Sequence, residues 1–181
     1  MMGKIPAGWH PGAPPSAWIA RLAYLVPAGG TVLDLACGAG RHTRLFLERG
    51  HRVLAVDRDL RGIADLAEHD RLEARELDLE DGSPFPFSGR TFDGVVVANY
   101  LYRPILGDLV DAVAGDGALL YETFARGNER LGNPTNPDFL LKRGELLDAV
   151  RPQLEVVAYE DLEVTEPKPS VVQRVAAVRR S

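Results

Sequence analysis

The chain is predicted to fold as a doubly wound α/β sheet of seven strands, mostly parallel, with an antiparallel C-terminal strand. Three observations predict this. Apolar runs alternate with helical patterns at short intervals from Thr31 onward, as in consecutive βαβ units. The run Val95-Val96-Val97 implies a strand buried on both faces. The last two apolar runs are separated only by a segment holding Pro167 and Pro169, with no room for a helix, so they are expected as antiparallel neighbours.

The elements follow in order. Residues 1–14, rich in proline and glycine, are expected as a flexible N-terminal arm, and residues 15–181 as one domain. Pro15 to Leu25 reads as a helix, with Pro15 in the first turn and Trp18, Ile19, Leu22, Leu25 and Val26 on one face. Thr31 to Ala36 is a strand, apolar except for Asp34. Arg41 to Arg49 is a helix whose Leu45, Phe46 and Arg49 stem point inward, closed by Gly50. Arg52 to Val56 and Leu72 to Leu77 are strands flanking a helix over Leu60 to His69. Glu80 to Arg90 is a loop, and Phe92 to Ala98 the fourth strand. Ile105 to Ala114 is helical, Gly115 to Gly117 turns, and Ala118 to Phe124 is the fifth strand. The stretch from Ala125 to Arg143 is polar and long for a connection inside a domain. A short helix, Glu145 to Val150, precedes the final strands Leu154 to Leu162 and Val171 to Val178.

Composition bounds the function. A chain of 181 residues, 45% hydrophobic and 26% charged, is expected to be one soluble domain. A net charge of −5 disfavours a non-specific nucleic-acid binder, which needs a dense basic face. A single cysteine allows no internal disulfide, and the four scattered histidines show no zinc-ligand spacing, so no metal is expected. No apolar run is long enough for a membrane span, and the N-terminus lacks the apolar core of a secretory signal. A cytoplasmic protein is expected, as a monomer or homodimer.

Polar residues mark the site. Asp34, Asp57, Asp78 and Asn99 each fall at or near the carboxyl end of a predicted strand, where doubly wound sheets bind ligands. Gly38 and Gly40 allow a sharp turn with close backbone approach, and the following helix starts at Arg41 with free N–H groups. Asp57, at the end of the next strand, can accept from both hydroxyls of a ribose, at about 1.5–3 kcal/mol for each charge-assisted bond. A helix N-cap is better assigned to Asp59. A dinucleotide motif would place its third glycine where Thr43 stands. Asp78 can accept from an adenine amino group, with Leu79 beside the ring; the alternative for Asp78 is an exposed turn residue.

At these residues the chain resembles class I S-adenosylmethionine-dependent methyltransferases. Asp34-Leu35-Ala36-Cys37-Gly38-Ala39-Gly40 is similar to their glycine-rich first motif, and Val56-Asp57-Arg58 to their ribose motif. Leu77-Asp78-Leu79 is similar to their adenine motif, and Phe92 to Asn99 to their fourth. The family has glycine where Ala36 stands. The resemblance implies that S-adenosyl-L-methionine binds here and leaves as S-adenosyl-L-homocysteine. It implies that Asp34 holds the methionyl ammonium, and that Ala36, Gly38 and Gly40 line the carboxylate and ribose. Asp57, Asp78 and Asn99 would fix ribose, adenine and methionyl ends, and Arg41 and His42 would reach the methionyl carboxylate. A solvent-facing first-turn position is the alternative for His42.

The C-terminal half is similar to small bacterial methyltransferases of the tellurite-resistance type, through Tyr121-Glu122-Thr123-Phe124, Asn133 to Leu141, and Lys142-Arg143-Gly144-Glu145-Leu146. It departs from them in the last hairpin, which reads Glu166-Pro167-Lys168-Pro169 in place of a His-Arg pair. A small-molecule acceptor is expected. Holding it in line with the sulfonium can supply about 7–11 kcal/mol, and a base is needed only if the acceptor must lose a proton. Candidate catalytic groups are Tyr100, Tyr102 and Glu122, the last because an unpaired carboxylate in a buried strand is costly. The tyrosines have packing the mouth of the site as their alternative. Arg103, Arg126 and Arg130 are candidate anion clamps, and the loop after Phe124, with the N-terminal arm, is expected to act as a lid. Three other readings stay open: a protein or RNA methyltransferase working with a partner, a nicotinamide-dependent oxidoreductase, and a non-catalytic cofactor binder.

Overall fold

The computed structural model describes residues 12–181. Of the expected arm, residues 1–11 lie outside the described residues. The strands are β1 (Thr31–Leu35), β2 (Arg52–Asp57), β3 (Leu72–Glu76), β4 (Phe92–Ala98), β5 (Val113–Phe124), β6 (Glu155–Val164) and β7 (Ser170–Val178). They form one sheet in the order β3-β2-β1-β4-β5-β7-β6. β7 runs antiparallel to β5 and β6, and the remaining pairs are parallel. The chain winds outward from β1 to β3, then restarts at β4 on the other side of β1. The turn after β1 therefore opens at the point where strand order reverses.

Alternation along each strand sends side chains to two apolar layers. Val32, Val96 and Leu120 face α1 (Ala17–Leu22) and α2 (Arg41–Glu48), packing on Trp18, Ile19 and Phe46. Leu33, Val95 and Leu119 face α3 (Leu106–Asp111) and α4 (Glu145–Val150), packing on Leu109, Val110 and Leu146. Val95, Val96 and Val97 are fully buried, as expected of a central strand.

Several local expectations change. Ser16, not Pro15, starts α1: its hydroxyl caps Ile19 N–H, and Pro15 lies outside the helix. Arg49 is exposed, and its guanidinium reaches outward to the Ala20 carbonyl. The helix expected over Leu60 to His69 is a 3₁₀ segment, Leu60–Leu66, broken at Ile63. Tertiary contact explains the break. Ile63 Cγ2 fills the space where a Cβ on Gly40 would stand, and a Cβ on Gly62 would lie 2.7 Å from the Gly38 carbonyl oxygen. The segment follows the glycine turn at the expense of regular helix. The helix expected over Ile105 to Ala114 shortens to α3, preceded by a 3₁₀ turn at Arg103–Ile105. β5 begins at Val113, and the expected Gly115 to Gly117 turn is an irregularity in its ladder, with Asp116 at φ +61°.

Candidate functional site

Four strand ends build the site. β1 ends at Leu35, and the backbone turns left-handed at Ala36 (φ +54°), Gly38 (φ +54°) and Gly40 (φ +75°) before α2. Ala36 pays about 1–2 kcal/mol for that conformation, which a glycine would adopt freely. From the end of β2, Asp57 holds the turn: its Oδ2 accepts Gly38 N–H at 2.8 Å and its Oδ1 accepts Asp59 N–H at 3.1 Å. Each oxygen keeps a lone pair for a further donor. Asp59 caps the next segment by accepting Arg61 N–H.

Asp34 is 2% exposed and accepts the Thr43 hydroxyl at 2.6 Å. Burial pushes its carboxyl up to about 6, against the Thr43 hydrogen bonds and the Arg41 charge, which pull it down. Thr43 is thus a working partner of Asp34 as well as the break in the dinucleotide pattern. Burial, with the Asp34 and Asp57 charges, pushes the Cys37 thiol up and keeps it unreactive. His42 is not solvent-facing. It is 4% exposed, its Nε2 accepts Ser16 N–H at 3.1 Å, and burial lowers it to about 3, so it is a neutral tether between α2 and α1.

On the far side of the turn, Asp78 is exposed and accepts Glu80 N–H at 2.9 Å in a tight turn, with Leu79 half-buried beside it. Asn99 is exposed at φ +56° and donates its N–H to the Glu122 carbonyl at 2.9 Å. Arg41 is half-buried at the start of α2, and Arg58 is exposed. The edge thus gathers Asp34, Asp57, Asp78 and Asn99 from four neighbouring strands.

The acceptor side differs from expectation. Glu122 is 8% exposed but not unpaired: Arg174 Nε lies 3.2 Å from its Oε2, and Arg174 Nη1 donates to Glu160 at 3.1 Å. Tyr100 has a buried hydroxyl with no hydrogen-bond partner among the described residues, and burial with the Glu80 carboxylate pushes it up, so it stays protonated. Tyr102 is half-buried and packs on the core. Arg103 is no free clamp. It pairs with Glu145 at 2.6 Å and donates to the carbonyls of Asp138 (2.7 Å) and Leu140 (2.9 Å), anchoring the loop that follows β5. Arg126 and Arg130 are exposed and form no ion pair among the described residues.

That loop is pinned more firmly than its composition suggests. Asn128, 1% exposed, donates to the carbonyls of Gly132 and Pro134 and accepts Val171 N–H at 3.1 Å. Gln173 accepts Leu146 N–H and donates to the Lys142 carbonyl, tying α4 to β7. Gly62, Thr43, Asn128, Gln173 and Arg174 escaped sequence reasoning. Gly62, a glycine inside a helical pattern, carried the one readable signal.

Residues 32–115 match a family model described as a methyltransferase domain. The matched span runs from β1 into β5 and includes the whole strand edge described above. Among solved structures, the chain resembles TehB from Haemophilus influenzae, at TM-score 0.71 and 18% identity over 90% of this chain, and it spans 61% of the length of that protein. It also resembles 1,6-didemethyltoxoflavin-N1-methyltransferase from Burkholderia thailandensis, solved with its substrate and S-adenosylhomocysteine, at TM-score 0.65 and 22% identity over 90% of this chain and 76% of that one. A 34-residue segment is 62% identical to ribosomal RNA small subunit methyltransferase H of Gemmatimonas aurantiaca, covering 19% of this chain and 11% of that protein. The cofactor product held in that B. thailandensis structure is S-adenosylhomocysteine. The site fits it chemically: a left-handed glycine turn at Gly38 and Gly40, beside a buried carboxylate, Asp57, with lone pairs to spare.

Proposed function

We propose that this chain transfers the methyl group of S-adenosylmethionine to a small-molecule acceptor. The observation that carries the reading is the Asp57–Gly38 lock, which sets a buried carboxylate against the left-handed glycine turn at the strand switch point. In this reading Asp57 binds the ribose, Asp34 the methionyl ammonium, and Asp78 with Leu79 the adenine. Ala36, Gly38, Gly40, Arg41 and Asn99 line the rest, and the sulfonium supplies an activated methyl for in-line attack. The protein's contribution is alignment. Among the described residues no helix is long and apolar enough to cross a membrane. A reducing, cytoplasmic setting is part of the proposal, in keeping with the buried free thiol of Cys37.

A small acceptor is supported by the B. thailandensis structure, whose similar fold holds a small heterocycle beside the spent cofactor. The ribosomal RNA methyltransferase segment is too short to carry an acceptor assignment. Asp57→Ala removes the turn lock and both ribose acceptors. It is expected to cost about 2–4 kcal/mol of cofactor binding. Calorimetry giving an unchanged dissociation constant would remove Asp57 from the ribose site.

A further inference from the structure

We propose that the row Glu122–Arg174–Glu160, with Trp18 against it, is the acceptor subsite, and that it selects a neutral amine nitrogen. This rests on the methyl-transfer reading and adds the class of its acceptor. Ala98 of β4, Glu122 of β5, Arg174 of β7 and Glu160 of β6 are paired side by side across the sheet. Strands lie about 4.8 Å apart, so Glu122 stands one strand from Ala98 and Asn99. Asp34 pairs with Val96, two residues before Ala98, so the row shares the sheet face of Asp34.

The row holds one cation between two acids and carries a net negative charge. Arg174 Cζ lies 5.8 Å from the centre of the Trp18 ring and that of the exposed Arg21 5.1 Å, so Trp18 carries a second cation outside the row. Trp18 is 4% exposed, and its Nε1–H has no acceptor among the described residues. The Ser16–His42 bond ties the start of its helix to the first turn of α2, the helix that follows the glycine turn.

Charge flow in the reaction selects the nucleophile. The acceptor lone pair attacks the methyl carbon, and the C–S bond breaks with its electron pair passing to sulfur. A neutral amine begins uncharged and ends as an ammonium, whose proton then leaves to water. Positive charge therefore moves from sulfur onto the acceptor atom, where a fixed net negative row stabilises it. The same row repels carboxylates, phenolates and thiolates. The spare Trp18 N–H fits a ring nitrogen or carbonyl oxygen on the same molecule.

The test is a matched panel of picolylamine, benzylamine, phenol, benzyl mercaptan and benzoate, with S-adenosylhomocysteine release and product mass as readouts. The two amines are expected to be methylated on nitrogen, at a rate rising with pH as each ammonium loses its proton. Glu122→Gln should lower kcat/KM for the amines by about tenfold or more, with the S-adenosylhomocysteine dissociation constant unchanged. Arg174→Lys should retain more activity than Arg174→Met. Picolylamine binding to the S-adenosylhomocysteine complex that depends on Glu122 supports the subsite even without turnover. Methylation of only the phenol, mercaptan or benzoate overturns the proposal. So does a Glu122→Gln enzyme equal to wild type, or failure of picolylamine both to react and to bind. Failure of S-adenosylmethionine itself to bind would instead overturn the methyltransferase reading.

Discussion

At the scale of single residues, Asp34 is held between burial and hydrogen bonding. Its carboxyl, near 6 in the folded chain, binds a proton more tightly than in the unfolded chain. That contribution to stability is present below about pH 4 and is lost as pH rises through about 6. A bound ammonium reverses the balance by favouring the carboxylate. Cofactor affinity is therefore expected to fall below about pH 6, by up to about tenfold per pH unit, with a proton released on binding. Calorimetry in two buffers of different ionisation enthalpy checks this, and Asp34→Asn should flatten the profile. An affinity constant down to about pH 5 would detach Asp34 from the ammonium. Ala36 offers a second test. Its left-handed backbone predicts that Ala36→Gly stabilises the fold by about 1 kcal/mol, raising Tm by about 2–4 °C in a calorimetric scan.

At the scale of elements, the connection from β5 to α4 is an organised loop. Its ends are zipped by Leu141 N–H to the Phe124 carbonyl and Arg126 N–H to the Leu141 carbonyl. Asn128 fills its base, so Asn128→Ala strands buried partners and should cost about 1–3 kcal/mol by urea unfolding. Asn128→Asp keeps the acceptor for Val171 N–H, and the Val171 amide should keep more exchange protection than in Asn128→Ala. Only the 131–139 stretch, including Leu131 and Phe139, is broadly exposed, so lid motion, if it occurs, belongs there. The strands were legible because burial on one or two faces writes a period into the sequence. The 3₁₀ segment at Leu60–Leu66 was not, because its break at Ile63 answers Gly40, twenty-three residues away.

At the scale of the whole molecule, the sheet order turns scattered acids into one edge, and occupation of that edge should stabilise the fold as a unit. S-adenosylhomocysteine at about 100 times its dissociation constant is expected to add about 2.7 kcal/mol, a Tm rise of about 5–10 °C. NADH should leave Tm unchanged, since Thr43 stands where a dinucleotide site has its third glycine. An equal shift with NADH would favour the oxidoreductase reading.

The strand Val32 to Leu35, the glycine turn and the spacing to Asp57 and Asp78 were determined by sequence alone. Backbone conformation and strand ends are local, and a polar residue at the end of an apolar run marks itself. Partnership was decided only by tertiary structure. Glu122 is an unpaired acid until β7 brings Arg174 beside it. Arg103 is a free cation until α4 and the loop surround it, and His42 is a surface histidine until Ser16 donates to it. These contacts join residues 26 to 52 positions apart, and no local pattern records which distant groups will neutralise a buried charge.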